Sequence, residues 1–191
     1  MTKDRKVLVI DVGGTHIKLA ATGQKQAREI TSGPKMTAAD MVRGVKETTK
    51  DWDYDVISIG YPGPVIHGRP LQEPHNLGPA WVNFDFHKAF GCPVKIMNDA
   101  AMQALGSYKK GRMLFLGLGT GLGSAMIVDG VLAPMELAHL PYRNGKTYED
   151  YLGLHGLKLL GRKKWEKHVG KVVQQLSRAL EPTGWWKRKE A

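Results

Sequence analysis

Two glycine-bearing turns and a scatter of carboxylates are the residues of this chain whose types and spacing could do chemistry. The first turn lies in DVGGTHIK, residues 11–18, where Gly13 and Gly14 follow Asp11 and precede Thr15 and Lys18. Glycine lets backbone N–H groups approach an anion without side-chain obstruction, the Thr15 hydroxyl adds a donor, Lys18 adds a cation, and Asp11 at a strand end could hold a hydrated Mg²⁺. That chemistry is phosphate binding; the plain alternative is a hairpin turn. The second turn lies in FLGLGTGLGSAMIVDG, residues 115–130, with Gly117, Gly119, Gly121 and Gly123 alternating around Thr120. Glycines weaken a strand, so four of them need a reason, and close approach of backbone to phosphate supplies one. No Gly-Lys-Ser/Thr follows, which excludes a P-loop. A strand rather than a helix comes next, which excludes a dinucleotide fingerprint.

Among the carboxylates, Asp99 opens a helical stretch in NDA, where it could cap the helix or act as a base. Glu136 and His139 lie three apart in MELAHL, and Glu149 follows in KTYEDY. Carboxylate and imidazole groups suit a polyhydroxyl ligand, although such a pair in a loop also occurs as surface decoration.

The elements that must position these groups are legible in outline. Lys6 to Ile10 reads as a buried strand, and the Gly-Gly pair turns the chain into a second strand, HIKLAAT. Thr37 and Asp40 form a capping box for a helix that runs to about Trp52 with Met41, Val42 and Val45 inward. DVISIG is a strand, PVIHGRPLQEPHN a loop punctuated by Pro and Gly, and PVKIM a short strand. From Asn98 the order is helix, strand, glycine turn, strand, so the first hairpin pattern recurs. This repetition predicts an α/β chain of two related lobes facing one cleft: an N-terminal lobe over residues 1–97 and a second over 98–182.

Composition narrows the field. With 191 residues, 42% apolar and 24% charged, the chain is an ordinary globular protein. A single cysteine, Cys92, allows neither a disulfide framework nor a cysteine-based zinc cluster within the chain, and fits a cytoplasmic setting. No apolar run approaches the roughly 18 residues of a membrane span, so no membrane partner is expected. A net charge of +10 favours anionic partners, or serves solubility alone. Nucleic-acid binding is not expected: the basic residues are scattered without interleaved aromatics, and about five residues before the first strand leave no room for a helix-turn-helix.

DVGGTHIK, IGYPGPV, NLGPAW followed by FDF, NDA, LGTGLGSAMIVDG and ELAHL occur in the order found in bacterial sugar kinases of the ROK family. The chain resembles most the polyphosphate glucokinase-like branch, over residues 6 to about 182. The resemblance implies the actin-like ATPase (ribonuclease H-like) fold, with Asp99 as the base that takes a proton from the 6-hydroxyl of glucose or a similar hexose. Asn76, Asn98, Glu136, His139 and Glu149 become sugar ligands, and Trp81 a packing residue. Asp11, Gly13, Gly14, Thr15, Lys18, Gly119, Thr120 and Gly121 become the donor site, with Mg²⁺ held by Asp11 through water. The donor, ATP or polyphosphate, stays open. No zinc is expected, the partner is a small-molecule sugar, and a homodimer is compatible with the family. Position 138 is Ala where the family pattern has Gly; if that residue needs positive φ or brings backbone against the sugar, a Cβ there lowers sugar affinity. The rival readings are a non-catalytic sugar- or phosphate-binding protein of the same fold and a transcriptional repressor of the same family.

The ending, EPTGWWKRKEA, departs from the pattern, in which a strand and a glycine-rich segment follow the long helix. Tryptophan has one codon, so Trp185 and Trp186 read one base downstream give two glycines. With codons chosen among those permitted, the shifted frame of residues 183–191 reads Leu-Gly-Gly-Gly-Asn-Val-Lys-Lys. The expectation is a frame-shifting deletion near Pro182 that leaves 183–191 as an aberrant tail, the second lobe incomplete and the chain weakly active or inactive.

Overall fold

The computed structural model describes residues 5–181 and 184–189; side chains are described through Glu181. The chain divides into two units, Met1–Met102 and Gln103–Ala191. The division falls inside a helix, so Asn98 and Asp99 belong with the first unit, whereas the sequence pattern places them at the start of the second.

The first unit is built on a five-stranded sheet in the order β3-β2-β1-β4-β7. Its strands are β1 (Val7–Val12), β2 (His16–Ala21), β3 (Arg28–Thr31), β4 (Val56–Tyr61) and, after the short hairpin β5 (Val65–Ile66) and β6 (Arg69–Pro70), β7 (Val94–Asn98). β1, β4 and β7 run parallel, while β2 is antiparallel to both of its neighbours. β1 alternates half-buried with buried positions, and Leu8, Ile10 and Val12 enter one core with Ile17, Leu19, Ile57 and Ile59. Helix α1 (Ala38–Thr48) covers that core with Met41, Val42 and Val45. It starts at the expected capping box, in which Asp40 N–H donates to Thr37 Oγ1 and Thr37 N–H to Asp40 Oδ2. The short α2 (Phe86–Phe90) ends at Gly91, whose φ of 78° is one that glycine adopts without strain. Helix α3 (Asp99–Ser107) follows β7 without a loop.

The second unit carries a four-stranded sheet in the order β10-β9-β8-β13: β8 (Arg112–Leu118), β9 (Leu122–Val128), β10 (Val131–Met135) and β13 (Gly184–Lys189). A 3-10 turn (Leu137–His139), the hairpin β11 (Pro141–Arg143) and β12 (Lys146–Thr147), and helices α4 (Tyr148–Leu152), α5 (Leu154–Leu160) and α6 (Arg162–Leu180) lie between β10 and β13. Trp165, Val169, Val172 and Leu176 recur at helical spacing along α6 and share a core with Leu114, Leu116, Leu122 and Met126. Trp165 donates its ring N–H to Leu152 O at 2.9 Å. No helix among the described residues is long and apolar enough to cross a membrane.

Where the sequence predicts an aberrant tail, Gly184–Lys189 form a strand parallel to β8, in register from Gly184 opposite Met113 to Lys189 opposite Leu118. Strand addition needs only backbone N–H and C=O groups, and the edge of β8 offers a row of them. The rest of the expected tail, Thr183, Glu190 and Ala191, lies outside the described residues, as does Pro182.

Candidate active site

The carboxyl ends of the three parallel strands collect the candidate groups of the first unit. Register sets Asp11 on β1 opposite Gly60 on β4, and Gly60 opposite Met97 on β7, with Asn98 and Asp99 following directly. Strands lie about 4.8 Å apart, so Asp11 and the β7–α3 junction stand on the order of 10 Å from one another across Gly60. Carboxyl ends of parallel strands are where open α/β sheets bind ligands. Gly60 keeps the middle of the row bare: a Cβ there would lie 3.4 Å from the Asp99 Cα and would overlap the end of Met102.

Asn98 and Asp99 divide the work at the start of α3. Asn98 Oδ1 accepts from Ala101 N–H at 3.2 Å, the geometry of a cap, and its amide donates to Gly63 O at 3.3 Å. Asp99 Oδ1 accepts from the adjacent Ala100 N–H at 2.7 Å. Capping three residues along is thus the task of Asn98, whose side chain is engaged with backbone on both sides.

The first glycine turn separates into two roles. Gly13 donates its N–H to His16 O at 3.1 Å, and a Cβ on it would lie 2.6 Å from that oxygen. Gly13 therefore closes the hairpin, as the plain-turn reading has it, and its amide is not available to an anion. Gly14 and Thr15 amides have no backbone acceptor among the described residues. Ser32 ties the turn to β3, its hydroxyl donating to Gly13 O at 2.6 Å and its N–H to Thr15 O at 2.9 Å. Lys18 is exposed and stands opposite Asp11 in the β1–β2 ladder.

Asn76 joins this turn. A Cβ on Gly14 would lie 2.7 Å from the Asn76 Cβ, so the two residues touch only because position 14 is glycine. The Asn76 segment is fixed by Glu73, which accepts from the N–H groups of Trp81 and Val82 at 3.0 and 3.2 Å. Gly78 N–H and the Trp81 ring N–H both reach Met36 O. Trp81 is fully buried, as expected of a packing residue, and contacts Tyr61 and Phe86. Burial and the nearby Glu73 charge hold the Tyr61 hydroxyl well above the usual phenol range.

In the second unit, Glu136 and His139 face each other with Oε2 and Nε2 4.0 Å apart, both largely exposed. Ser124, buried in β9, anchors the backbone on either side of Glu136: its hydroxyl donates to Met135 O at 2.8 Å and accepts from Leu137 N–H at 3.1 Å. Glu149 behaves differently. Its Oε2 accepts from Leu122 N–H at 3.0 Å, which attaches it to the Gly119–Gly121 turn, a link across 27 positions that nothing in the local sequence announces. In the turn itself Gly119 N–H donates to Gly121 O at 3.2 Å.

Ala138 lies inside the 3-10 turn, outside the left-handed region, and is buried. Position 138 thus has no need of positive φ, and a backbone-strain cost at Ala138 is ruled out. Ala138→Gly is expected to lower stability by about 1 kcal/mol, through lost methyl burial and added backbone freedom. Urea denaturation checks it; an unchanged or raised midpoint contradicts it.

The ROK family model matches residues 7–134. A polyphosphate glucokinase of Mycobacterium tuberculosis is 28% identical over 208 residues, covering 95% of this chain and 76% of that protein. Among solved structures, the inorganic polyphosphate/ATP-glucomannokinase of Arthrobacter sp. strain KM superposes with a TM-score of 0.78 at 23% identity, over 96% of this chain and 83% of that one. The ROK hexokinase of Thermus thermophilus gives 0.74 at 21% identity, over 95% and 80%. These likenesses establish the actin-like ATPase fold expected from the sequence.

Proposed function

The chain belongs to the ROK family, and we propose that it is a cytoplasmic sugar kinase that moves a phosphoryl group from ATP or polyphosphate to the 6-hydroxyl of glucose or a similar hexose. The observation that carries this reading is the row Asp11, Gly60, Asn98–Asp99 at the carboxyl ends of β1, β4 and β7, with a glycine in the middle where a Cβ would overlap the end of Met102 and touch the Asp99 backbone. The names of the relatives, a polyphosphate glucokinase and a polyphosphate/ATP-glucomannokinase, supply the substrate classes.

Asp99 takes the proton from the sugar hydroxyl as its oxygen attacks the terminal phosphorus. The bond from that phosphorus to the bridging oxygen breaks, releasing ADP or a polyphosphate one unit shorter. Phosphoryl transfer asks mostly for positioning and charge stabilisation. The first unit offers Asn76 as a sugar-binding group and the Gly14 and Thr15 amides with Lys18 as donor-binding groups; the second unit by itself offers Glu136 and His139 of the first kind and the Thr120 and Gly121 amides of the second. Asp11, a hard carboxylate at the end of β1, is of the type that would hold a Mg²⁺ keeping most of its waters, and that ion, when bound, would neutralise donor charge.

The test is sugar phosphate formation from glucose with ATP and with polyphosphate side by side. Product from either donor supports the reading, and the ratio identifies the donor. Binding of sugar without product from either would favour the non-catalytic alternative.

A further inference from the structure

Residues 140–148 form a clip between His139 and Glu149, two of the residues that the family resemblance makes sugar ligands. Tyr148 N–H donates to Leu140 O at 3.0 Å, and His139 and Glu149 lie one residue outside that closing bond, so the shape of the clip sets where both side chains start. The clip cannot hold that shape alone. Its strands β11 and β12 have three and two residues, and an isolated two-stranded hairpin is marginal in water. Asn144 and Gly145 reverse the chain at φ of 53° and 70°, as tight hairpins require, but Arg143 and Lys146 then face each other as like charges.

The missing support comes from α4 and α6. Register shifts between Pro141 and Arg143, both exposed, and an irregularity of that kind re-aims a side chain. The side chain between them is Tyr142, half-buried, whose ring meets Tyr151 of α4 at 5.0 Å and His168 of α6 at 5.6 Å, edge-on to both. Tyr148 joins the group at 5.3 Å. One polar contact in this cluster reaches α6: Tyr142 Oη stands 3.0 Å from His168 Nδ1, a hydrogen bond. Burial, with the Arg143 and Lys171 charges, holds His168 below the usual imidazole range, so an uncharged ring meets the phenol at neutral pH. Trp165 and Val169 bury the same stretch of α6 in the core, which makes His168 a fixed point.

We propose that Tyr142 and His168 are positioning residues for the sugar: their hydrogen bond docks the 140–148 clip on α6 and so sets His139 and Glu149 against the hexose hydroxyls. The proposal rests on the sugar-kinase reading for its ligand.

The test uses the full chain carrying Tyr142→Phe, His168→Phe, both together, or His168→Asn. The Phe variants keep the ring packing, so the fold is retained, and hydrogen exchange across β8 should stay as it is. Three readouts are taken: glucose affinity by calorimetric titration without donor, sugar and donor KM, and hydrogen exchange of the peptide spanning residues 140–148. Losing one hydrogen bond is expected to weaken glucose binding and raise clip exchange about three- to tenfold in either Phe variant, with donor KM within about twofold. The two together should cost no more than one, because both remove the same bond. His168→Asn presents a donor and an acceptor near the Nδ1 position and should retain most of both. Unchanged glucose affinity in the Phe variants, losses that add, or a donor KM that rises as much as the sugar KM would overturn the proposal. No sugar phosphate from the unaltered chain, with glucose affinity still falling in the Phe variants, overturns the kinase reading and leaves the clip standing. Full turnover with glucose affinity indifferent to both variants does the reverse, and an unaltered chain that binds no glucose overturns the two together.

Discussion

Asp99→Asn is expected to lower kcat for sugar phosphorylation by about 10²–10⁴, the span of a single general base, while leaving sugar affinity within a few-fold. The expectation follows from the division of work at the start of α3. Asn98 supplies the cap, so the helix does not depend on the Asp99 carboxylate for the bond three residues along. Asn at position 99 can still accept from Ala100 N–H, as Oδ1 does now, so the fold should be retained. What is lost is the ability to take a proton. Steady-state rates with saturating sugar, and calorimetric titration of the sugar, check the two halves. Near-full turnover in the variant would remove Asp99 from the base role.

Gly14→Ala should be nearly as damaging, by a different route. The added methyl would lie 2.7 Å from the Asn76 Cβ, far inside normal contact, so the turn or the Asn76 segment must move. Glu73 and Met36 hold that segment at several points, and Ser32 holds the turn, so neither yields easily. Displacement of reacting groups by about 1 Å costs on the order of 10² in rate, and kcat/KM should fall by about that much for both substrates. Sugar and donor KM measured separately decide it; a variant with both unchanged would mean that the turn and Asn76 adjust freely.

How much of this was legible in the sequence depended on how local the cause was. The strands at Lys6–Ile10, DVISIG and RMLFLGL announce themselves by apolar runs, and α1 by the Thr37/Asp40 box, because each signal is contained within its own element. β3 has four residues with alternating exposure, and α2 has five, too few for any period to register. The strand at Gly184–Lys189 is set by the open edge of β8 rather than by its own composition, so its sequence reads as a tail. At the site, the two turns were legible as glycine spacing. Which amides remain available was not, since Gly13 and Gly14 look alike until His16 O takes one of them. Asn98 and Asp99 are both good capping types, and only the geometry at Ala101 separates them. Ala138 is the instructive case for the rival, non-catalytic reading, because its departure from the family pattern falls in a turn that accepts a Cβ.

The central claim is that this chain phosphorylates the 6-hydroxyl of an aldohexose, and ³¹P NMR of the unaltered protein incubated with glucose, Mg²⁺ and either ATP or polyphosphate tests it most directly. The account predicts a phosphate monoester whose phosphorus couples to the C6 protons, growing as one donor is consumed and absent from Asp99→Asn over the same interval. No monoester with either donor, or one formed equally well by Asp99→Asn, would contradict it.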